Sequence, residues 1–237
     1  DRRGTCCEKV DKDACGIENG SNTALKRMNK SASLEDNKRA LDILKKHGIY
    51  VQAGFILFDD NTTFEELKEN YEFLREYDWI ITKGIFSEMF AADGTLYTEK
   101  LKKEDKIVKN DVYDNNKYEI VDPKVKLTYN ALKKWHKSHM KLYDMIIDPI
   151  SAPKAIDETG EKSFYDLFYQ LKLKDLDFMK MVLDDVEREI TERELNEKVI
   201  AQIIGNSEFY SSINRSGQAL CEKYNLNYDG KENPFIR

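Results

Sequence analysis

A chain of 237 residues with 41% hydrophobic content has enough apolar mass for one large domain or two small ones. Charged residues make up 35% and leave a net charge of −6, which argues against nucleic acid as the main partner, because phosphate binding needs a concentrated basic face. No apolar run reaches the roughly eighteen residues of a membrane span and no signal-peptide pattern is present; Cys6, Cys7, Cys15 and Cys221 lack regular spacing, which fits a reducing cytoplasm.

Asp1 to Asp13 is dense in charge without apolar periodicity, and residues 1–15 read as an irregular segment. Their three cysteines lack the Cys-x2-Cys spacing of a zinc site, so no metal is assigned to them. A strand end near residues 15–18 then leads into Gly16-Ile17-Glu18-Asn19-Gly20-Ser21, a turn whose two glycines allow close backbone approach. The helix start that follows presents unpaired N–H groups suited to a polar or anionic ligand. Ser33 with Asp36 forms a capping-box pattern for a helix carrying Leu34, Leu41 and Leu44, stopped by Gly48. Residues 49–58 are an apolar run of strand length, with Val51, Ala53, Phe55 and Leu57 alternating with Tyr50, Gln52, Gly54 and Ile56. Thr63-x-x-Glu66 opens a helix with Phe64, Leu67, Tyr71 and Leu74 on one stripe. A strand over 79–90 and a charged helix from Gly94-Thr95 to near Glu104 complete a βαβαβα order, which argues for parallel strands.

Past Asp105 the pattern changes. Residues 106–121 are polar and predict a short hairpin. Asp122-Pro123 starts a long helix to Ile147, ended by the Asp148-Pro149 and Ala152-Pro153 pairs. Further helices are expected over 163–190, from a restart at Thr191-x-x-Glu194, and over 208–224 after Gly205-Asn206-Ser207, with a loose tail. His136 and His139 stand three apart on the long helix; without a third ligand in view, packing is the reading adopted for them, and for Trp135 beside them. The expected organisation is therefore 1–15 irregular, 16–121 an α/β half-barrel of parallel strands, and 122–237 mainly helical.

Several motifs together carry a family resemblance. Gly16-Ile17-Glu18-Asn19-Gly20-Ser21 is followed by Met28-Asn29-Lys30, then by Gly54 to Asp59 (Gly-Phe-Ile-Leu-Phe-Asp) and Thr63 to Leu67 (Thr-Phe-Glu-Glu-Leu). Gly94 to Tyr97 and Val121 to Val125 continue the order. This run resembles the C-terminal half of the (βα) barrel of radical S-adenosylmethionine (SAM) proteins, in particular those in which a cobalamin-binding domain precedes the barrel. The resemblance implies that Glu18 lies near the SAM ribose or methionine moiety and that Lys30 meets the SAM carboxylate. Ser21 is a third candidate, and could equally be the N-cap of the following helix. It implies SAM and a [4Fe–4S] cluster as cofactors of the intact protein, with cobalamin in a further domain. A small molecule or peptide is the expected substrate class.

The departures are as informative. A Cys-x3-Cys-x2-Cys loop is needed to ligate the cluster, and the cysteines at 6, 7, 15 and 221 do not reproduce it. Nor is there an Asp-x-His-x-x-Gly cobalamin signature. The chain is thus expected to be a fragment or truncated relative lacking the cluster-binding half, with a non-catalytic binding remnant as the alternative. Such a cut leaves a strand edge open and uncovers the Val51–Leu57 face, so self-association through that edge is expected unless the C-terminal helices fold back over the face and keep the chain monomeric.

Overall fold

Short parallel contacts organise the first half of the chain. In the computed structural model, which describes residues 13–109, 116–151 and 156–226, strand β1 (Asp13–Cys15) pairs in parallel with β2 (Val51–Ala53), Asp13 opposite Val51 and Cys15 opposite Ala53. Isolated parallel bridges join Gln52 to Ile81 and Phe58 to Glu88. Helices α1 (Asn22–Arg27) and α2 (Leu34–Lys46) lie between the two strands in sequence, and α3 (Phe64–Glu76) and α4 (Leu96–Lys103) follow. The hairpin is present as β3 (Ile107–Lys109) and β4 (Lys117–Tyr118), paired antiparallel. Then come α5 (Pro123–Ser151), α6 (Glu158–Glu187), α7 (Glu192–Gly205) and α8 (Ser207–Lys223). The described chain is mostly helical, with two small two-stranded sheets.

Several expectations need correction. The strand expected near 15–18 is β1 at 13–15, so the segment called irregular ends in a strand; residues 1–12, with Cys6 and Cys7, lie outside the described residues. The strand read over 49–58 is regular only at Val51–Ala53. Beyond Gly54 its amides bond irregularly, Ile56 N to the Glu18 carbonyl at 2.6 Å and Leu57 N to the Ser87 carbonyl at 3.2 Å. A glycine inside a strand weakens the ladder in this way. The run 79–90 contributes bridges rather than a continuous strand.

The alternation itself holds, but its meaning changes. Val51, Ala53, Phe55 and Leu57 are buried, and Phe55 stacks on Phe73 of α3 at 6.0 Å. The apolar face is therefore covered by helices rather than bared. One hydrophobic cluster continues from Val51, Leu67 and Phe73 to Trp135, Met179 and Val182, so the strands share their core with α5 and α6. Trp135, fully buried, stacks on Phe178 at 3.9 Å.

The capping boxes form as read. Ser33 and Asp36 bond reciprocally at the start of α2, Thr63 and Glu66 at α3, and Thr191 and Glu194 at α7. The long helix does not stop at Ile147. It carries Pro149 in its last turn and ends at Ser151, since a proline near a helix end forfeits one main-chain bond while its fixed φ suits the helix. Cys221, a free thiol, is buried on α8.

Candidate functional site

The turn between β1 and α1 is fastened on three sides. The Asn19 amide donates to the Ile56 carbonyl at 2.7 Å, and its oxygen accepts from the Ser21 N–H at 2.8 Å. The Gly20 N–H donates to Asn70 Oδ1 of α3 at 2.7 Å. A Cβ at Gly20 would lie 2.5 Å from Phe73 Cβ, so only glycine lets α3 approach this closely.

On that turn Glu18 meets Lys30, with Nζ 2.6 Å from Oε1. Both residues were singled out in the sequence as separate SAM contacts; here they meet each other and are open to solvent, their side chains being 16% and 41% exposed respectively. Chemically it offers a carboxylate acceptor beside an ammonium donor, which could exchange their mutual contact for the ammonium or hydroxyl and the carboxylate of a ligand. Ser21 differs. It is fully buried at the N-cap position of α1, makes no capping bond, and its hydroxyl lies 2.9 Å from Thr23 Oγ1.

Behind the turn lies a network that sequence reasoning missed. Arg27 binds Glu66 with both terminal nitrogens at 2.8 Å and Asp59 through Nε at 2.9 Å. Burial alone would raise the Glu66 carboxyl, but the Arg27 hydrogen bonds, helped by Thr23 and the Thr63 N–H, outweigh it and hold Glu66 below the usual carboxylate range. The same bonds, Glu66 foremost, raise the Arg27 guanidinium further above its ordinary value. Glu66 was legible only as a helix cap. Asn70 did carry a signal, because a polar residue between Leu67 and Leu74 at helical spacing interrupts an apolar stripe and must find a buried partner.

A second buried polar cluster joins α5 to α6. Asp175, fully buried, accepts from Trp135 Nε1 at 2.7 Å and Tyr143 Oη at 2.7 Å, and lies 3.0 Å from His139 Nε2. His139 also stacks on Tyr210 at 4.5 Å. Among the described residues no group of three or more His, Cys, Asp or Glu side chains is arranged to hold a metal ion. Cys15 belongs to β1 and Cys221 to α8, so the described residues do not supply the three cysteines that a [4Fe–4S] cluster requires.

No protein-family model matches the chain. Over 117 residues it is 33% identical to the anaerobic magnesium-protoporphyrin IX monomethyl ester cyclase of Rubrivivax gelatinosus, a match covering 47% of this chain and 19% of that protein. Over 64 residues it is 42% identical to the 4'-phospho-dehydrooxetanocin synthase of Priestia megaterium, covering 27% of this chain and 9% of that protein. Its fold is similar to OxsB, a cobalamin-dependent S-adenosylmethionine radical enzyme, in the structure with aqua-cobalamin bound: TM-score 0.60, 19% identity, 95% of this chain and 38% of that one. With aqua-cobalamin and S-adenosylmethionine bound, OxsB gives a TM-score of 0.59 at 17% identity, over 92% of this chain and 42% of that one. Over part of its length the chain is thus similar to these two curated enzymes, and its fold is similar to that of a cobalamin-dependent S-adenosylmethionine radical enzyme. It spans less than a fifth of the length of these curated relatives and about two fifths of OxsB. Among its described residues no helix is long and apolar enough to cross a membrane.

Proposed function

We propose that this chain is part of a radical SAM enzyme, contributing a half-barrel of parallel strands and the helical region packed on it, with Glu18 and Lys30 forming one side of a SAM pocket. The observation that carries the reading is the Glu18–Lys30 pair, 2.6 Å apart on a turn after β1, in a chain whose fold is similar to that of a cobalamin-dependent S-adenosylmethionine radical enzyme. In this reading the Glu18 carboxylate accepts from the ribose hydroxyls or the methionine ammonium, and Lys30 answers the methionine carboxylate. Ser21 supports the turn from behind. SAM, once bound in the whole protein, supplies a carbon-centred radical on reductive cleavage. The residues described here bind it, orient it and exclude water from it. The cluster and any cobalamin belong to parts of that protein beyond the residues described, the substrate being a small molecule or peptide, and a cytoplasmic location goes with the chemistry.

The cysteine spacing favours a second reading for the chain taken by itself, a binding scaffold of the same fold that holds ligand without reacting. Calorimetry with SAM on the wild type and on Lys30→Ala tests the shared core of both. Weak binding is expected. Because Lys30 is partly exposed, its removal should cost about 1 kcal/mol, the screened end of a charge-assisted bond. Tight binding that ignores Lys30 would overturn the assignment. Capture of a SAM-dependent radical product by the chain alone would exclude the scaffold reading.

A further inference from the structure

The face of α5 turned toward segment 84–88 holds a group of charges that the SAM reading does not use. Tyr129 donates to Glu88 Oε2 at 2.6 Å, and Lys133 donates to the Tyr129 hydroxyl oxygen at 2.7 Å. Lys117 of β4 approaches Glu88 Oε1 at 3.3 Å. Glu88 is thus engaged by a hydroxyl and an ammonium. Lys133 itself is half-buried, with Nζ 4.8 Å from the centroid of the Tyr129 ring and 5.6 Å from that of Phe86. Among the described residues no carboxylate comes within 4.0 Å of its Nζ, and only one of its three donors is used.

We propose that this group of side chains binds a small organic anion, a phosphate or carboxylate carried on an apolar frame, with Lys133 as the anchoring cation. Three observations support it. A partly desolvated ammonium without a carboxylate partner is costly, and an incoming anion would neutralise it. Burial foremost, opposed by Glu88 and aided by the neighbouring Lys117 and Lys137, lowers the Lys133 pKa. The group also lies where the parallel bridge from Phe58 reaches Glu88, toward the carboxyl end of the strand segments, the side on which ligands bind in open α/β sheets.

Space for the apolar frame adjoins the charge. Phe86, which carries Lys133 over its ring, also lines a cavity of about 340 Å³ with Gly84, His136, Met140 and Tyr143 and with the paired Lys83 and Asp144. That volume is at the small end of ligand sites. Gly84 has φ +73°, and a Cβ there would lie 2.5 Å from His136 Nδ1, so glycine is what lets the imidazole seal this wall. None of these residues belongs to the Glu18–Lys30 pair, so the anion site stands or falls independently of SAM.

Calorimetry of the whole chain at low ionic strength, with phenyl phosphate, benzoate and phenol as probes, tests the proposal. One anion or both should bind saturably and one-to-one, the preferred one identifying the headgroup, while phenol should bind at least about tenfold more weakly. Lys133→Met should weaken anion binding about tenfold or more, and Lys133→Arg should stay within about threefold of wild type. Lys133→Gln, which keeps a donor for Tyr129 without the charge, should behave as the methionine variant does, and serves in its place if that variant folds poorly. Lys134→Met, on an exposed residue of the same helix bonded to Asn196, should leave binding unchanged. Absence of saturable anion binding would overturn the site. So would phenol binding as tightly as the anions, or Lys133→Met and Lys133→Gln matching wild type.

Discussion

Lys172 of α6 donates to the main-chain carbonyl of Ile80, on the strand edge turned away from β2. The direction follows from the neighbouring residue, since Ile81 gives its N–H to Val51 and takes one from Ala53, leaving Ile80 to face the other way. Tyr165 of the same helix donates to the Trp79 carbonyl at 2.7 Å. A helix thus occupies the edge where a further strand would add, satisfying a carbonyl that would otherwise recruit one.

The ammonium that closes this edge is itself expensive. Burial pushes the Lys172 pKa down to about 7, against the opposing pull of Asp78 and Asp175. Between that value and the ordinary lysine range the unfolded chain holds a proton that the folded one does not, so this group makes stability rise with pH. From pH 7 to pH 9.5, urea denaturation of wild type relative to Lys172→Met should show a gain on the order of 3 kcal/mol. A flat difference across that window would show that Lys172 is not desolvated as described.

Gly20→Ala places a methyl group 2.5 Å from Phe73 Cβ and 3.1 Å from Asn70 Oδ1. Neither neighbour is the free end of a flexible chain, so α3 must move. A loss of about 1–3 kcal/mol in chemical denaturation is expected, as for overpacking elsewhere.

Arg27→Met strands two buried carboxylates, Asp59 and Glu66. The expected cost is about 3 kcal/mol near pH 7. Because the folded Glu66 carboxyl lies below its unfolded value, the stability drawn from the pair is present above the ordinary glutamate range and lost as pH falls through the folded value. The gap between wild type and Arg27→Met should therefore narrow toward pH 3. A gap of constant size would point to lost packing instead.

Among the described residues nothing pairs with the outer edge of β1, whose other edge is taken by β2. Self-association through that edge is expected. Light scattering coupled to size exclusion should give a mass that rises with concentration, and a monomer at every concentration would refute it.

What the sequence disclosed and what it hid divide along the range of the interactions. The capping boxes at Ser33, Thr63 and Thr191 need only residues three apart, and the helices they start were readable. Glu18 and Lys30 were singled out by the family resemblance, which set each against SAM; their contact with one another was not part of that reading. Arg27 was hidden because basic residues at a helix end are ordinary, and its partners lie thirty-two and thirty-nine positions away. Asp175 looked like one more charge on a long helix. Its burial depends on Trp135, His139 and Tyr143 arriving from α5, a contact that no periodicity in either helix predicts.

The bonds that fix the β1–α1 turn, from Asn19 to Ile56 and from Gly20 to Asn70, also decide how a ligand would be greeted there. The conformational entropy of the turn is surrendered when α3 and β2 assemble, before any ligand arrives. A molecule that settles against Glu18 and Lys30 then loses its own freedom but has no loop to freeze. The imprint of such binding in hydrogen exchange should be confined to the Lys30 side chain's surroundings, while the bonded amides of Gly20 and Ser21 are already slow without ligand.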